Sequence, residues 1–525
     1  MTVKGEGLKA LVITGILAEE TVKHYIKESR VKCEIRVLKV PIAAFLTPEG
    51  IALNLSNAKL KNIDVILVPG LIRGDTKTIT NAVGIPAFKG PRYAADLPIV
   101  LDSIGEVELS TTVPACDLLK EKLRRKAFSE LENAESNRDN LLKKPGNILI
   151  KNLAVGRDFP MRVMAEIVDA PLMEKKEIQR LAKEYAQLGA DIIDVGMVAG
   201  EIRSEEAKNL VKAVKQVVNV PVSIDTLNPD EIREAVAAGA DLVLSGDAGN
   251  LEDIAPFVKN VAVVIIPTNQ RTGYLPNNVA KRVHFLEELI VKAKQLGISK
   301  VIGDLILEPS NILDSLIAFH DFARRNPDVP LFVGVSNVTE LIDADSVGVN
   351  ALLARISSEM GASILLATEK SDKAKGTVRE QVIAAKMMFL AKKRGSVPKD
   401  LGIDVLFLKD KRNREEPYNE ELEKKVPVIS AFDETGPAVL DAKGSFKIAL
   451  NRIEGNIVAM HYASPDRAKP TTIIKGKTAE NIYSKIVELA LVSRVDHAAY
   501  LGSELEKAEI ALKTGKEYIQ DKTMF

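Results

Sequence analysis

The stretch from Gly189 to Asp247 constrains the fold more tightly than any other part of the chain. It holds three short apolar runs, Asp191–Val195, Val222–Asp225 and Leu242–Ser245. Between them, Glu205–Val218 and Asp230–Ala238 carry apolar residues at helical spacing. Asn228, Pro229 and Asp230 form a good helix start, and Gly239 a good stop. Strands alternating with helices of this length imply parallel strands joined by right-handed crossovers. In such folds chemistry sits where the strands end. The residues at those ends are polar: Asp194, Asp225, and Ser245 with Asp247.

The same alternation extends in both directions. Eight strands are expected at Arg162–Val168, Asp191–Val195, Val222–Asp225, Leu242–Ser245, Ala262–Ile266, Val301–Leu307, Leu331–Val335 and Ser363–Ala367, with a last helix at Val378–Lys393. Eight strand–helix units in about 240 residues is the size of a (β/α)8 barrel. Ahead of it, the run from Asn147 suggests a hairpin that plugs the barrel floor. At 525 residues the chain is too long for one core. Residues 8–14, Cys33–Val37 and Ile63–Val68 read as a small open α/β sheet, and Ala115–Leu142 as a charged helical connector. Gly70, Gly74, Asp75 and Thr76 follow the third strand, where such sheets bind ligands. No GxGxxG accompanies them, so a structural or docking role is expected there. Beyond a linker at Pro398–Leu401, strands at Ile403–Leu408, Val426–Ser430, Phe446–Leu450 and Asn456–His461 precede two helical stretches. The expected architecture is α/β: a (β/α)8 TIM barrel (146–397) between smaller α/β domains at 1–145 and 398–525.

Composition removes several functional classes. With 72 basic and 72 acidic residues, the chain lacks the basic excess of a nucleic-acid footprint. No apolar run reaches the roughly 18–20 residues a membrane span needs, and no signal peptide is evident. Two cysteines, Cys33 and Cys116, rule out a disulfide scaffold, so a reduced cytoplasmic setting is expected. The five histidines show no metal-ligand spacing, and no metal held by protein side chains is expected.

GADIIDVG followed by PVSIDT-x-x-PD-x-x-REA-x-x-AGAD resembles dihydropteroate synthase and the wider pterin-binding barrel family, in an archaeal-type version. That family includes methyltransferases that use a methylated reduced pterin. The resemblance implies a reduced pterin as substrate and a possible homodimer. The first half of the barrel looks like a synthase, although no N-V-T-P-D-S-F loop follows strand one; Ala165–Pro171 stands there. The second half resembles the methyltransferase branch, with Asp304 ahead of Pro309, GVSN at 334–337, and no S-R-K after strand seven. The C-terminal region resembles the corrinoid-binding component of the tetrahydromethanopterin S-methyltransferase complex through Gly476–Ile482 and a strand–Gly–helix pattern around Tyr500–Ala511. There, one histidine approaches the cobalt. The comparable place in this sequence, near Lys507, has none, so a retained fold without corrinoid binding is expected.

A pterin presents an N–H beside an amino group, an edge that one carboxylate can bind with two parallel hydrogen bonds. A site for it therefore needs carboxylates or amides at several strand ends. Asp194, Asp225, Ser245, Asp247 and Glu308 are the candidates for binding, and Asp304 and Asn337 for catalysis. Displacing pyrophosphate from a pterin methylene calls for cations to stabilise the leaving charge. Lys370 and Arg379, with Lys373 and Lys375, follow strand eight, where barrels commonly hold phosphate. A Mg²⁺ carried by a pyrophosphate substrate would need few protein ligands. Methyl transfer instead asks for protonation of a pterin nitrogen, for which Asn337 with Asp304 is suited. Three functions stay open: synthase-type condensation in making a folate- or tetrahydromethanopterin-type cofactor, methyl transfer to a corrinoid or thiol, and a non-catalytic pterin-binding scaffold.

Overall fold

The computed structural model describes residues 7–56, 58, 60–399, 401–411, 415, 418, 420–431, 439–464 and 468–525. The chain divides into two compact units, residues 1–418 and 419–525.

The first unit opens with four parallel strands, β1 (Lys9–Thr14), β2 (Lys32–Val37), β3 (Val65–Val68) and β4 (Ala87–Lys89), in the order β2-β1-β3-β4. One face buries Leu11, Ile13, Ile66 and Val68 with Ile51, Leu55 and Ile79 from the helices Pro48–Ser56 and Lys77–Val83. The other buries Ala10, Val12, Val65 and Leu67 with Val22, Leu97 and Leu101. Burial on both faces explains why β1 and β3 read as continuous apolar runs. Thr76 is spent inside this domain, its hydroxyl donating to the Ala87 carbonyl at 2.7 Å, and Asp75 accepts from the Lys77 amide at 2.9 Å. The connector forms the helix Ala115–Ser136. Ala115 belongs to the N-terminal core, while Ala127, Leu131 and Ala134 join the outer shell of the barrel.

A two-stranded hairpin, β5 (Ile148–Ile150) and β6 (Leu153–Val155), precedes the barrel. Its Ile150 and Val155 pack inside the barrel against Met164, Ile192, Leu242 and Ile302. The Arg162 guanidinium donates to the Ala154 carbonyl at 2.8 Å, fixing the plug at the end where the strands begin. The barrel strands are β7 (Arg162–Ile167), β8 (Ile192–Gly196), β9 (Val222–Asp225), β10 (Leu242–Gly246), β11 (Ala262–Ile265), β12 (Lys300–Gly303), β13 (Phe332–Val333) and β14 (Ile364–Ala367). All neighbours pair in parallel, β14 pairs with β7, and a bridge from Gly303 to Leu331 closes the ring. Side chains alternate as a barrel requires: Met164, Ile192, Leu244 and Val264 point in, while Val163, Ile193, Val243 and Val263 meet the surrounding helices. Strands six and seven are shorter than expected. Asp304 lies just past β12 rather than within it, because the chain turns there: Ile306 takes φ +64°, and its amide is held by the Asp304 carboxylate at 2.8 Å.

The second unit is an antiparallel meander, β15 (Ser445–Asn451), β16 (Asn456–Tyr462) and β17 (Thr472–Gly476), packed against the helices Ala479–Glu488 and Val495–Thr514. The runs at 403–408 and 426–430 are not strands. Ile403 and Val405 lie against the barrel's outer shell, while Leu406, Phe407, Val428 and Ile429 are exposed. The pattern around Tyr500–Ala511 is one uninterrupted helix that runs through Gly502, not strand–Gly–helix. Among the described residues, no helix is long and apolar enough to cross a membrane.

Candidate active site

The inward parity of the first three barrel strands brings carboxylates together. In β7, Glu166 follows Met164 on the interior face; it pairs in register with Asp194 of β8, and Asp194 with Ser223 of β9. Two residues further along, Gly196 stands beside Asp225. A Cβ on Gly196 would lie 2.5 Å from Glu166 Oε1, so the missing side chain is the space into which Glu166 leans. Carboxylate oxygens of Glu166, Asp194 and Asp225 all lie within 4.8 Å of one another. Asp194 is fully buried, whereas Glu166 and Asp225 are half-buried. Asp194 accepts from the buried Ser223 hydroxyl through one oxygen, and its other oxygen, also buried, has no partner among the described residues.

Two unit charges this close repel by about 3 kcal/mol at an effective dielectric near 20. Burial adds a larger penalty for the charged forms. Glu166 is pushed up to about 8, by burial first and then by Asp225 and Asp169, with Lys370 opposing. Asp225 is pushed up to about 6 by burial. Asp194 rises well above the carboxylate range for the same reason, with Asp225 and Glu166 adding to it. Across the barrel mouth, burial raises Asp304 to about 7, with Asp225 contributing and the Ile306 amide opposing. Burial and mutual repulsion thus raise the proton affinity of all four carboxyls, and the unpartnered Asp194 oxygen leaves acceptor capacity unsatisfied. Such a set fits a ligand rich in N–H donors. By its chemistry the trio also fits a hard cation, a possibility that histidine and cysteine spacing does not test.

The other sequence candidates have different surroundings. Asp247 is fully buried and accepts four hydrogen bonds, from the amides of Gly249, Asn250 and Gln270 and the Thr268 hydroxyl. It ties the loop after β10 to the loop after β11. Ser245 is half-buried, and its carbonyl accepts from the Asn250 amide group at 3.0 Å. Glu308 meets the buried guanidinium of Arg282 at 2.7 Å, in a loop staple that also reaches the Pro276 carbonyl. The exposed Asn337 donates to the Leu307 carbonyl at 3.2 Å, in the loop just past Asp304. The lysines after β14 are each ion-paired: Lys370 with Asp169 at 2.7 Å, Lys373 with Asp343 at 2.7 Å, and Lys375 with Asp372. Lys370 thus links the loops that follow two neighbouring strands, β14 and β7. Arg379 is exposed on the helix Thr377–Arg394.

Glu166, Ser223 and Gly196 are the components that the sequence candidates lack. The available signal was parity: a charged residue two places after inward-facing Met164 must also face the interior.

Three family matches cover most of the chain. Residues 169–370 match the family described as pterin binding enzyme, residues 8–92 a family of unknown function (DUF6513), and residues 440–521 the PterinBD-DUF4346 family. An uncharacterized protein of Methanocaldococcus jannaschii is 43% identical over 538 residues, covering 99% of each chain. A dihydropteroate synthase of Clostridium beijerinckii is 32% identical over 141 residues, covering 24% of this chain and 51% of the synthase. Among solved structures, a dihydropteroate synthase from Xanthomonas albilineans in complex with 7,8-dihydropteroate is 19% identical. That match covers 48% of this chain and 99% of the synthase, with a TM-score of 0.38.

Proposed function

We propose, for a chain that belongs to the pterin binding enzyme family, that it binds a reduced pterin at the strand ends of its barrel and acts on it as a transferase. The observation that carries this reading is the convergence of Glu166, Asp194 and Asp225 within 4.8 Å, with a buried oxygen of Asp194 left unpartnered. A pterin's N–H and amino edge supplies the donors such a site lacks, with Asp225 taking the paired contacts. Asp304, whose proton affinity is raised by burial and in part by the charge of Asp225, borders the same space.

Within that reading, proton donation to the ring fits the site best. Carboxyls that keep their protons near neutrality are matched to general acid work. Protonating a ring nitrogen makes it a better leaving group for a one-carbon unit such as a methyl group. Asn337, whose amide donates to the Leu307 carbonyl, would be the polarising group in this reading. A synthase-type condensation is the second reading, favoured by the synthase relatives and by Lys370 at the mouth. There the pyrophosphate's negative charge meets a carboxylate-rich wall, so the substrate would have to bring a Mg²⁺ with it.

The test is a pair of incubations of the purified chain, followed by mass spectrometry. One uses a methylated tetrahydropterin with a thiol or corrinoid acceptor, the other a dihydropterin pyrophosphate with an aromatic amine. Demethylated pterin supports acid-assisted transfer, condensed product supports the synthase reading, and binding without turnover in both removes the transferase assignment.

A further inference from the structure

The N-terminal sheet has a crevice of its own. Its strand order β2-β1-β3-β4 means that the chain leaves β1 toward one side for β2 and then crosses to the other side for β3. Open parallel sheets bind ligands outside the carboxyl ends of the strands at such a switch point. A cavity of about 400 Å³ lies there, lined by segments following all four strands. Leu17 comes from beyond β1, Ile42 and Ala44 from beyond β2, Leu71 from beyond β3, and Tyr93 from beyond β4.

Its walls are fixed rather than collapsed. The segments after β1 and β2 are zipped together, Ile16 to Val40 at 3.0 Å and Leu17 to Pro41 at 3.1 Å through the backbone. Those after β3 and β4 are joined by Gly70 to Pro91 at 2.9 Å. Glycine permits both approaches: a Cβ on Gly15 would lie 2.8 Å from Val40 O, and one on Gly70 would lie 2.6 Å from Gly90 O. Each pair of loops forms one wall, and the space between the walls remains.

The lining sets the ligand's chemistry. Among the described residues, Arg92 is its one charged member, and Asp117 holds both terminal guanidinium nitrogens, one of them at 2.6 Å. The helix behind β1 begins with Glu19 and Glu20, which oppose a phosphate at its positive end. Leu17 is 68% exposed and Leu71 51%, a cost that an apolar occupant would relieve. Tyr25 and Tyr93 add aromatic surface. The enclosed volume is that of a small-molecule site. We propose that this crevice binds an uncharged, largely apolar ring compound, independently of the barrel site.

The test titrates the full chain with 1-N-phenylnaphthylamine, an uncharged aromatic dye that fluoresces in apolar surroundings. The expected result is saturable binding at one dye per chain, weakened at least tenfold by Ala44→Trp, which fills the cavity, and by Leu17→Glu at its exposed rim. Asp225→Asn should leave the dye affinity unchanged, and ADP should not displace the dye. Unchanged affinity in both crevice variants would overturn the proposal, as would displacement by ADP. A stoichiometry that falls as protein concentration rises would mean that a second copy fills the crevice, and would also contradict it.

Discussion

At the carboxyl ends of its strands the barrel presents Glu166, Asp194, Asp225 and Asp304, whereas the N-terminal sheet presents Leu17, Ile42, Leu71 and Tyr93 at the equivalent ends of its own. Parallel strands with helical crossovers leave space at that position in both regions. The side chains around the space differ in the kind of cost they carry. The barrel keeps acids in a close, partly buried group whose charged forms repel, a cost that a ligand's hydrogen-bond donors would relieve. The N-terminal crevice keeps apolar surface in water, which an apolar ligand would relieve. Topology thus says where a ligand goes, and the strand-end residues say what it is.

The largest expected effect tests whether an acidic residue at a strand end is necessarily a ligand group. Asp247→Ala leaves four donors without their acceptor, and should destabilise the first unit by about 3–5 kcal/mol. Chemical denaturation checks this; a variant as stable as wild type but impaired in ligand binding would return Asp247 to the site. Next comes Gly196→Ala, whose new methyl collides with Glu166 and should cost about 1–3 kcal/mol as overpacking. The penalty should shrink in a Glu166→Ala background, which a double-mutant cycle reads directly. Equal costs in the two backgrounds would place Glu166 elsewhere.

The pH dependence separates the two regions as well. Glu166, Asp304 and Asp225 have folded-state pKa values raised to about 8, 7 and 6. An acid raised in this way keeps its proton in the folded chain after the unfolded chain has lost it. Its contribution is fully present below pH about 4 and is lost as pH rises through the folded value. Melting temperatures should therefore fall between pH 5 and 8.5, and Glu166→Gln should flatten that slope. A wild-type chain that gains stability over this range would contradict the protonated cluster.

Smaller effects sharpen the chemistry. In acid-assisted transfer Asn337→Ala should lower kcat more than it raises KM, because its contact strengthens toward the transition state. Lys370→Ala should then have little effect; a synthase would show the reverse, with Lys370→Ala crippling turnover. At the bottom of the scale, Lys373→Ala removes a solvent-facing ion pair with Asp343 and should change stability by less than about 1 kcal/mol. A larger loss by thermal melting would show that the loop after strand eight is more than a solvated surface.

Much of this was legible in the residues, because short apolar runs separated by capped helices have few other ways to bury themselves. The strand ends at Asp194 and Asp225 and the plugging hairpin follow from that pattern. What was not legible depends on partners distant in sequence. Glu308 looks available until Arg282, 26 residues earlier, is seen to hold it. Asp247 looks like a ligand group until Thr268 and Gln270 fold over it. Glu166 sits in a run where only the two-residue period from Met164 marks it as inward. The apolar runs at 403–408 and 426–430 have strand composition, but strand structure also needs a paired edge, which they lack.

The most direct measurement is calorimetric titration of a reduced pterin, 6-hydroxymethyl-7,8-dihydropterin, into the wild-type chain and into Asp225→Asn. Replacing the carboxylate by an amide sets a donor against one of the ligand's donors and should cost about 1.5–3 kcal/mol, roughly ten- to more than a hundredfold in affinity. The account predicts one pterin per wild-type chain and that loss in a variant that remains cooperatively folded. No binding to the wild type, or equal affinity in the folded variant, would contradict it.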